Sequence, residues 1–189
     1  MTEATPGREA RPAIASSSSE WPCSSAKRCS RSIVANDADA LAEAAATAEI
    51  AAVQNEYSLL AREAERELLP ACLELGVGFV PYFPLASGFL TGKYRPGEAA
   101  EGSRLGTVEE GASVTRRASA SFATVERLQR FADEQGHSLV ELAIAGLASR
   151  PGVASVIAGA TKPEQVRANA AAGDWQLTAG QLAALDAIA

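Results

Sequence analysis

From about residue 38 onward the chain alternates between two hydrophobic periods, one helical and one strand-like. Residues 39–48 are alanine-rich and predict a helix, and residues 50–54 are a short apolar run that predicts a strand ending in Gln54-Asn55-Glu56-Tyr57. Residues 65–75 place Leu68, Leu69, Cys72 and Leu75 on one helical face, stopped by Gly76. Residues 77–82 are apolar throughout, as expected of a strand buried on both faces. Residues 95–120, punctuated by Gly97, Gly102, Gly106 and Gly111, predict a long loop, either a lid or a disordered segment.

Phe122, Val125, Leu128 and Phe131 then mark a helix ending near Gly136. Ser138 and Glu141 have capping-box spacing, in which hydroxyl and carboxylate satisfy free amides at a helix start. They open a helix that packs through Leu139, Leu142 and Leu147. Residues 153–157 predict a third strand. Thr161 with Glu164, and Thr178 with Gln181, predict the capped starts of two more helices, the second carrying Leu182, Leu185 and Ile188. Alternation at this spacing implies parallel strands joined by right-handed crossovers. Such a sheet is either open and doubly wound or part of a (β/α)8 barrel, and the pattern alone does not choose.

Residues 1–32 break the pattern. They hold Ser16 to Ser19, Ser24, Ser25, Ser30 and Ser32, are net basic, and contain almost no aliphatic side chains. Such a stretch cannot bury enough apolar area to offset its ordering entropy, so it reads as a disordered leader. A Ser/Arg-rich, acid-poor start is also compatible with a transit peptide. We read it instead as non-native to the domain, as a shifted frame or misplaced start would produce.

Composition narrows the function classes. A net charge of −6, with the acidic excess concentrated after residue 32, argues against phosphate-backbone binding and so against a nucleic-acid partner. No apolar run is long enough for a transmembrane helix, and the start lacks a signal-peptide core, so no membrane partner is expected. Cys23, Cys29 and Cys72 are odd in number and lack zinc spacing, which suits a reducing cytoplasm and predicts no metal site. His137 is the chain's only histidine, and it precedes a helix on the side away from the strand ends.

Three strand ends carry candidate chemistry, because α/β sheets bind ligands at the carboxyl ends of their strands. The first is residues 53–57, with Gln54. In the second, residues 81–94, Tyr82 offers a ring face for stacking. There Ala86-Ser87-Gly88 allow backbone amides close to a pyrophosphate. The third, residues 157–169, runs from strand through a small-residue turn into a helix start, whose amides and dipole favour an anion. Lys162 adds a formal charge there. Taken singly, each is equally a strand end with polar residues, a tight turn over a core tyrosine, or an ordinary helix cap.

Taken together, residues 54–60, 84–94 and 159–169 resemble the C-terminal half of the aldo-keto reductases, from about Ile50 to Ala189 with a weaker extension back to Ile33. The resemblance implies a (β/α)8 barrel that reduces small carbonyl substrates with NADPH. It implies that Gln54 and Asn36 hold the nicotinamide carboxamide and that Tyr82 stacks on the ring. Leu85, Ser87 and Gly88 would line the pyrophosphate under the 95–120 loop. Gly159, Ala160, Thr161, Gln165 and Asn169 would hold the adenosine end. Phe83 stands where the family has a small residue, and residues 33–37 keep only Asn36 of the family's Ser-Asn pair.

The family's first four strands, and the Asp, Tyr, Lys and His that move the proton, have no counterpart here. The expected fold is therefore a partial TIM barrel: its last three to four β/α units span residues 33–189, behind the leader. Such a chain is expected to be inactive alone. Open barrel edges would favour self-association, and a non-catalytic nucleotide-binding or scaffold subunit is the alternative. Tyr57, or Tyr94 beside Lys93, is a conceivable substitute acid, although the resemblance gives both tyrosines structural roles.

Overall fold

In the computed structural model, the structure describes residues 32–35, 37–94 and 111–188. The leader through residue 31, Asn36 and the 95–110 part of the expected loop lie outside the described residues. The element order is β1 (Ser32–Val34), α1 (Ala38–Thr47), β2 (Ala52–Glu56), α2 (Leu68–Leu75), β3 (Gly78–Tyr82), α3 (Gly111–Glu134), α4 (Leu139–Ala148), α5 (Pro163–Ala172) and α6 (Ala179–Asp186). A 3-10 turn, Glu63–Glu65, precedes α2, and another, Ala86–Thr91, follows β3. The fold is α/β with a parallel sheet in the order β1-β2-β3, as strand–helix alternation requires.

Local chemistry explains where the elements begin and end. Asp37 caps α1 by accepting from the amide of Ala40 at 2.8 Å. Ser138 and Glu141 form the expected box on α4, and Thr178 and Gln181 form the one on α6. Gly76 ends α2 in the left-handed conformation at φ 66°, which lets Val77 donate back to Cys72 and turn into β3.

Five expectations need correction. Residues 111–120 are the first turns of the 24-residue helix α3, not loop. That stretch has no apolar repeat to betray a helix, and only its Ala and Arg content favours one. Leu75 is 44% exposed, so the buried face of α2 is Leu68, Leu69 and Cys72. The helix expected over 65–75 starts only at Leu68.

Residues 153–157 do not form a third regular strand but make one parallel bridge, Val153 to Phe79. Phe79 donates to Gly152 at 2.9 Å and accepts from Ala154 at 2.8 Å. The next donor on β3 should be residue 81, which is proline and has no N–H. The register then slips, and the Pro81 carbonyl is met by Ile157 at 3.2 Å.

The fifth correction concerns the sheet's faces. Ile33, Val53 and Phe79 point into a helix-covered core with Leu41, Leu69, Leu128, Leu142 and Leu185, and Val53 and Phe79 are fully buried. Their alternating neighbours point the other way: Val34 is 66% exposed, and Gln54, Val80 and Tyr82 are only half-buried. β3 is therefore covered on one face, not two.

Candidate functional site

Because all the strands run parallel, the carboxyl ends of β1, β2, β3 and the 153–157 segment lie along one edge. Gln54 sits between Val34 and Val80 in register, and Glu56 sits opposite Tyr82. By strand alternation Gln54 and Tyr82 share the uncovered face. Asn55 points the opposite way: its amide donates to the Ala35 carbonyl at 2.8 Å and pins β1 to β2. The Tyr57 amide donates to the Tyr82 carbonyl at 3.3 Å, joining β2 and β3 just past their ends.

The turn after β3 is conformationally costly. Phe83, Ala86 and Ser87 have positive φ, and Gly88 follows at 99°. Non-glycine residues in that region carry strain on the order of 1 kcal/mol or more each, and such strain clusters at functional sites. Phe83 is 56% exposed and meets Tyr82 edge-on, with ring centroids 5.2 Å apart. The amides of Ala86 and Gly88 are committed to the turn's own carbonyls, Phe83 and Leu85, so they are not free donors. Leu85 is partly buried and packs on the core, whereas Ser87 is exposed.

Lys93, named in the sequence only beside Tyr94, is brought by the fold to this turn. A Cβ built at Gly88 would lie 3.1 Å from Lys93 Cε, and Lys93 Nζ is 4.8 Å from the Tyr94 ring centre. The Gly92-Lys93 pair is the signal: Gly92, at φ 72°, folds the chain back so that the lysine lies over Gly88.

At the third segment Gly159, Ala160, Thr161 and Lys162 are exposed, and Asn169 is half-buried. The expected cap by Thr161 and Glu164 is replaced. Pro163 takes the first helical position, so Gln165 is the third, and its Oε1 accepts from the amides of Thr161 at 2.8 Å and Lys162 at 3.1 Å. Those amides, read in the sequence as open to an anion, are held by the Gln165 carboxamide.

The conceivable substitute acids are accounted for. Tyr57 is fully buried and donates to Glu65 at 2.6 Å. Burial first, and then the Glu65 carboxylate, push its phenol well above the usual tyrosine range. The Tyr94 hydroxyl is buried, and its ring packs on Phe89. His137 stacks flat on Trp175 with ring centres 3.9 Å apart, at the α3–α4 turn and away from the strand ends. Cys72 is a buried core thiol raised to about 11 by desolvation. Among the described residues no cluster of His, Cys, Asp or Glu is arranged to hold a metal, and no helix is long and apolar enough to cross a membrane.

A polar network with no local signature in the sequence joins Tyr57, Arg62, Glu65, Arg150 and Asp186. Arg62 forks onto Glu65 through Nε at 2.8 Å and Nη2 at 2.6 Å, and the same Nη2 reaches Asp186 at 2.5 Å. Arg150 holds Asp186 at 2.5 and 3.1 Å. Burial works against the Glu65 carboxylate, but Arg62 and Tyr57 outweigh it and hold it below the ordinary range. Asp186 is lowered by Arg150 and then by Arg62. Separately, a half-open groove of about 430 Å³ lies between Asp37, Glu56 and Glu67, touching the three segments only at Asn55 and Glu56.

Comparison with known proteins decides the family. Residues 30–189 match the model of the aldo/keto reductase family. The chain belongs to the aldo/keto reductase family. It is 41% identical over 124 residues to a probable voltage-gated potassium channel subunit beta from Arabidopsis thaliana, covering 64% of this chain and 38% of that protein. It is 34% identical over 140 residues to the NADH-specific methylglyoxal reductase of Escherichia coli K12, covering 72% of this chain and 41% of that one. An aldo-keto reductase from Bacillus halodurans, solved in its holo form, superposes with a TM-score of 0.63 at 26% identity over 84% of this chain and 49% of its own. This chain thus spans about two fifths of these curated relatives and half of the solved reductase. The aldo/keto reductase resemblance seen in the three strand-end segments is thereby established as kinship.

Proposed function

We propose that residues 33–189 are the C-terminal half of an NADP-dependent aldo-keto reductase barrel, with most of the cofactor contacts but not the proton-transfer residues. The observation that supports this reading is that Gln54 and Tyr82 share the less covered face of the sheet, with the Ser87-Gly88 turn following β3 and Ile157, just before the 159–165 segment, bonded to the Pro81 carbonyl. The donor types fit a dinucleotide laid along the carboxyl edge of the sheet. Gln54 offers a carboxamide at one end, and Tyr82 a ring beside it. Lys93 brings a cation over the Gly88 turn, and Lys162 and Thr161 sit at a helix start. Leu85 supports the turn from the core, and Asn169 lies along α5. Seating an anion at the 161–162 amides requires the Gln165 carboxamide to swing away.

NADPH, when bound, supplies the hydride. Reduction of a carbonyl also needs an acid for the forming alkoxide, and Tyr57 and His137 are both engaged elsewhere. Appending the family's four preceding strand–helix units before residue 33 is therefore expected to create carbonyl-dependent NADPH oxidation. An extended chain that folds yet remains inert would overturn the proposal.

The exposed apolar side chains Val34, Phe83 and Ile157 favour a second reading. In it the chain is a non-catalytic nucleotide-binding or scaffold subunit that completes a barrel by associating with another copy. Titrating NADPH emission while sedimentation reports mass separates the readings. A monomer with no saturable binding removes the second.

A further inference from the structure

The network around Arg62 is used by neither reading of the cofactor edge, yet it ends against it. Its members come from four places: Tyr57 just past β2, Arg62 and Glu65 at the 3-10 turn, Arg150 just past α4, and Asp186 at the end of α6. We infer that Asp186 is a positioning residue for the carboxyl ends of β2 and β3, acting through Arg62, Glu65 and the Tyr57 hydroxyl.

Tyr57 is gripped at both ends. Its hydroxyl is fixed by Glu65, and its backbone amide is bonded to the Tyr82 carbonyl. Between them its ring rests edge-on against Phe79 of β3, centroids 5.8 Å apart. Whatever orients the phenol therefore orients the backbone that carries Gln54 three residues earlier and pairs with Tyr82.

The phenol's partner depends in turn on α6. Two guanidiniums with side chains only 20% and 10% exposed, Arg62 and Arg150, converge on the Asp186 carboxylate. Removing that charge leaves two like charges close together and poorly hydrated, a costly arrangement that side-chain movement relieves. Arg62 is the more exposed of the two, and it is also the one that fixes Glu65. The 3-10 turn and the last helix, 124 residues apart in sequence, thus share one cation.

The test is hydrogen exchange at the Tyr57 amide of the full chain, with no cofactor present. Tyr57→Phe keeps the ring and is expected to speed exchange about tenfold, as loss of one charge-assisted bond predicts. Asp186→Asn should do the same, although no hydrogen bond joins it to Tyr57, and the double variant should be no faster than either single one. Asp186→Glu should restore the slow rate. The amide of Leu142, bonded to Ser138 in α4, reports global loosening and should stay slow. Should Asp186→Asn fail to fold, Arg62→Lys, which keeps the charge but cannot fork, gives the same readout. Effects that multiply in the double variant, or acceleration shared equally by Leu142, would overturn the inference. Its consequence for Gln54 and Tyr82 as cofactor contacts rests on the proposed function. The exchange rates stand independently of NADPH, so either can fail without the other.

Discussion

The two faces of the sheet obey different rules. On the helix-covered face Val53 and Phe79 are fully buried and continuous with Leu41, Leu128 and Leu142. On the other face Val34 and Ile157 are 66% and 47% exposed, and the polar and aromatic groups Gln54 and Tyr82 stand among them. The first face carries stability, because apolar burial there is complete. The second contributes little to stability in this chain, and it is where the cofactor chemistry of the family would be carried. Under the proposed function, folding and cofactor binding are thus separated by the pleat of the sheet.

Substitutions at matched positions break or sharpen that contrast. The largest effect is expected for Phe79→Ala, which empties a fully buried site and should cost about 3–5 kcal/mol in urea unfolding, enough to unfold a marginal domain. Glu65→Gln keeps one carbonyl oxygen to accept from the Tyr57 hydroxyl but removes the charge and the second oxygen that accepts from Arg62, and it should cost about 2 kcal/mol.

Acid probes the same group. Glu65 and Asp186 are held below the ordinary carboxylate range, so their stabilisation is complete above the unfolded-state value of about 4. It is lost as pH falls through their lower folded values. Urea midpoints should therefore drop below about pH 4 in the native chain, and less steeply in Glu65→Gln. An equally steep drop in that variant would place the acid sensitivity elsewhere.

Ser138→Ala removes a cap on α4, behind the covered face, and should cost about 1 kcal/mol. Val34→Ala is the smallest, within about 0.5 kcal/mol. A cost for Val34→Ala approaching that of Phe79→Ala would mean that the open face is covered in solution, which is the signature of the associating subunit.

Features written in consecutive residues were the legible ones. The Ser138 and Thr178 boxes, the apolar runs of β2 and β3 and the parallel order follow from spacing alone. So did kinship, because three short segments each keep their order. The failures share a different cause. The start of α3 has no apolar repeat, so nothing periodic marks it. The slip at residues 153–157 depends on Pro81 of another strand. Gln165 competes with any ligand for the Thr161 amide only because Pro163 sets the helix start one residue later than the Thr161–Glu164 pairing implies. Sharing of Arg62 between Glu65 and Asp186 spans most of the chain and has no local signature.

The central claim is that cofactor-facing residues are present on the open face without an acid to complete reduction. Its most direct measurement is the steady-state oxidation of NADPH by the purified chain across a range of small aldehydes and ketones. The account predicts rates equal to the protein-free blank for every carbonyl. Carbonyl-dependent turnover that follows the protein through purification and is lost in Tyr82→Ala would contradict it.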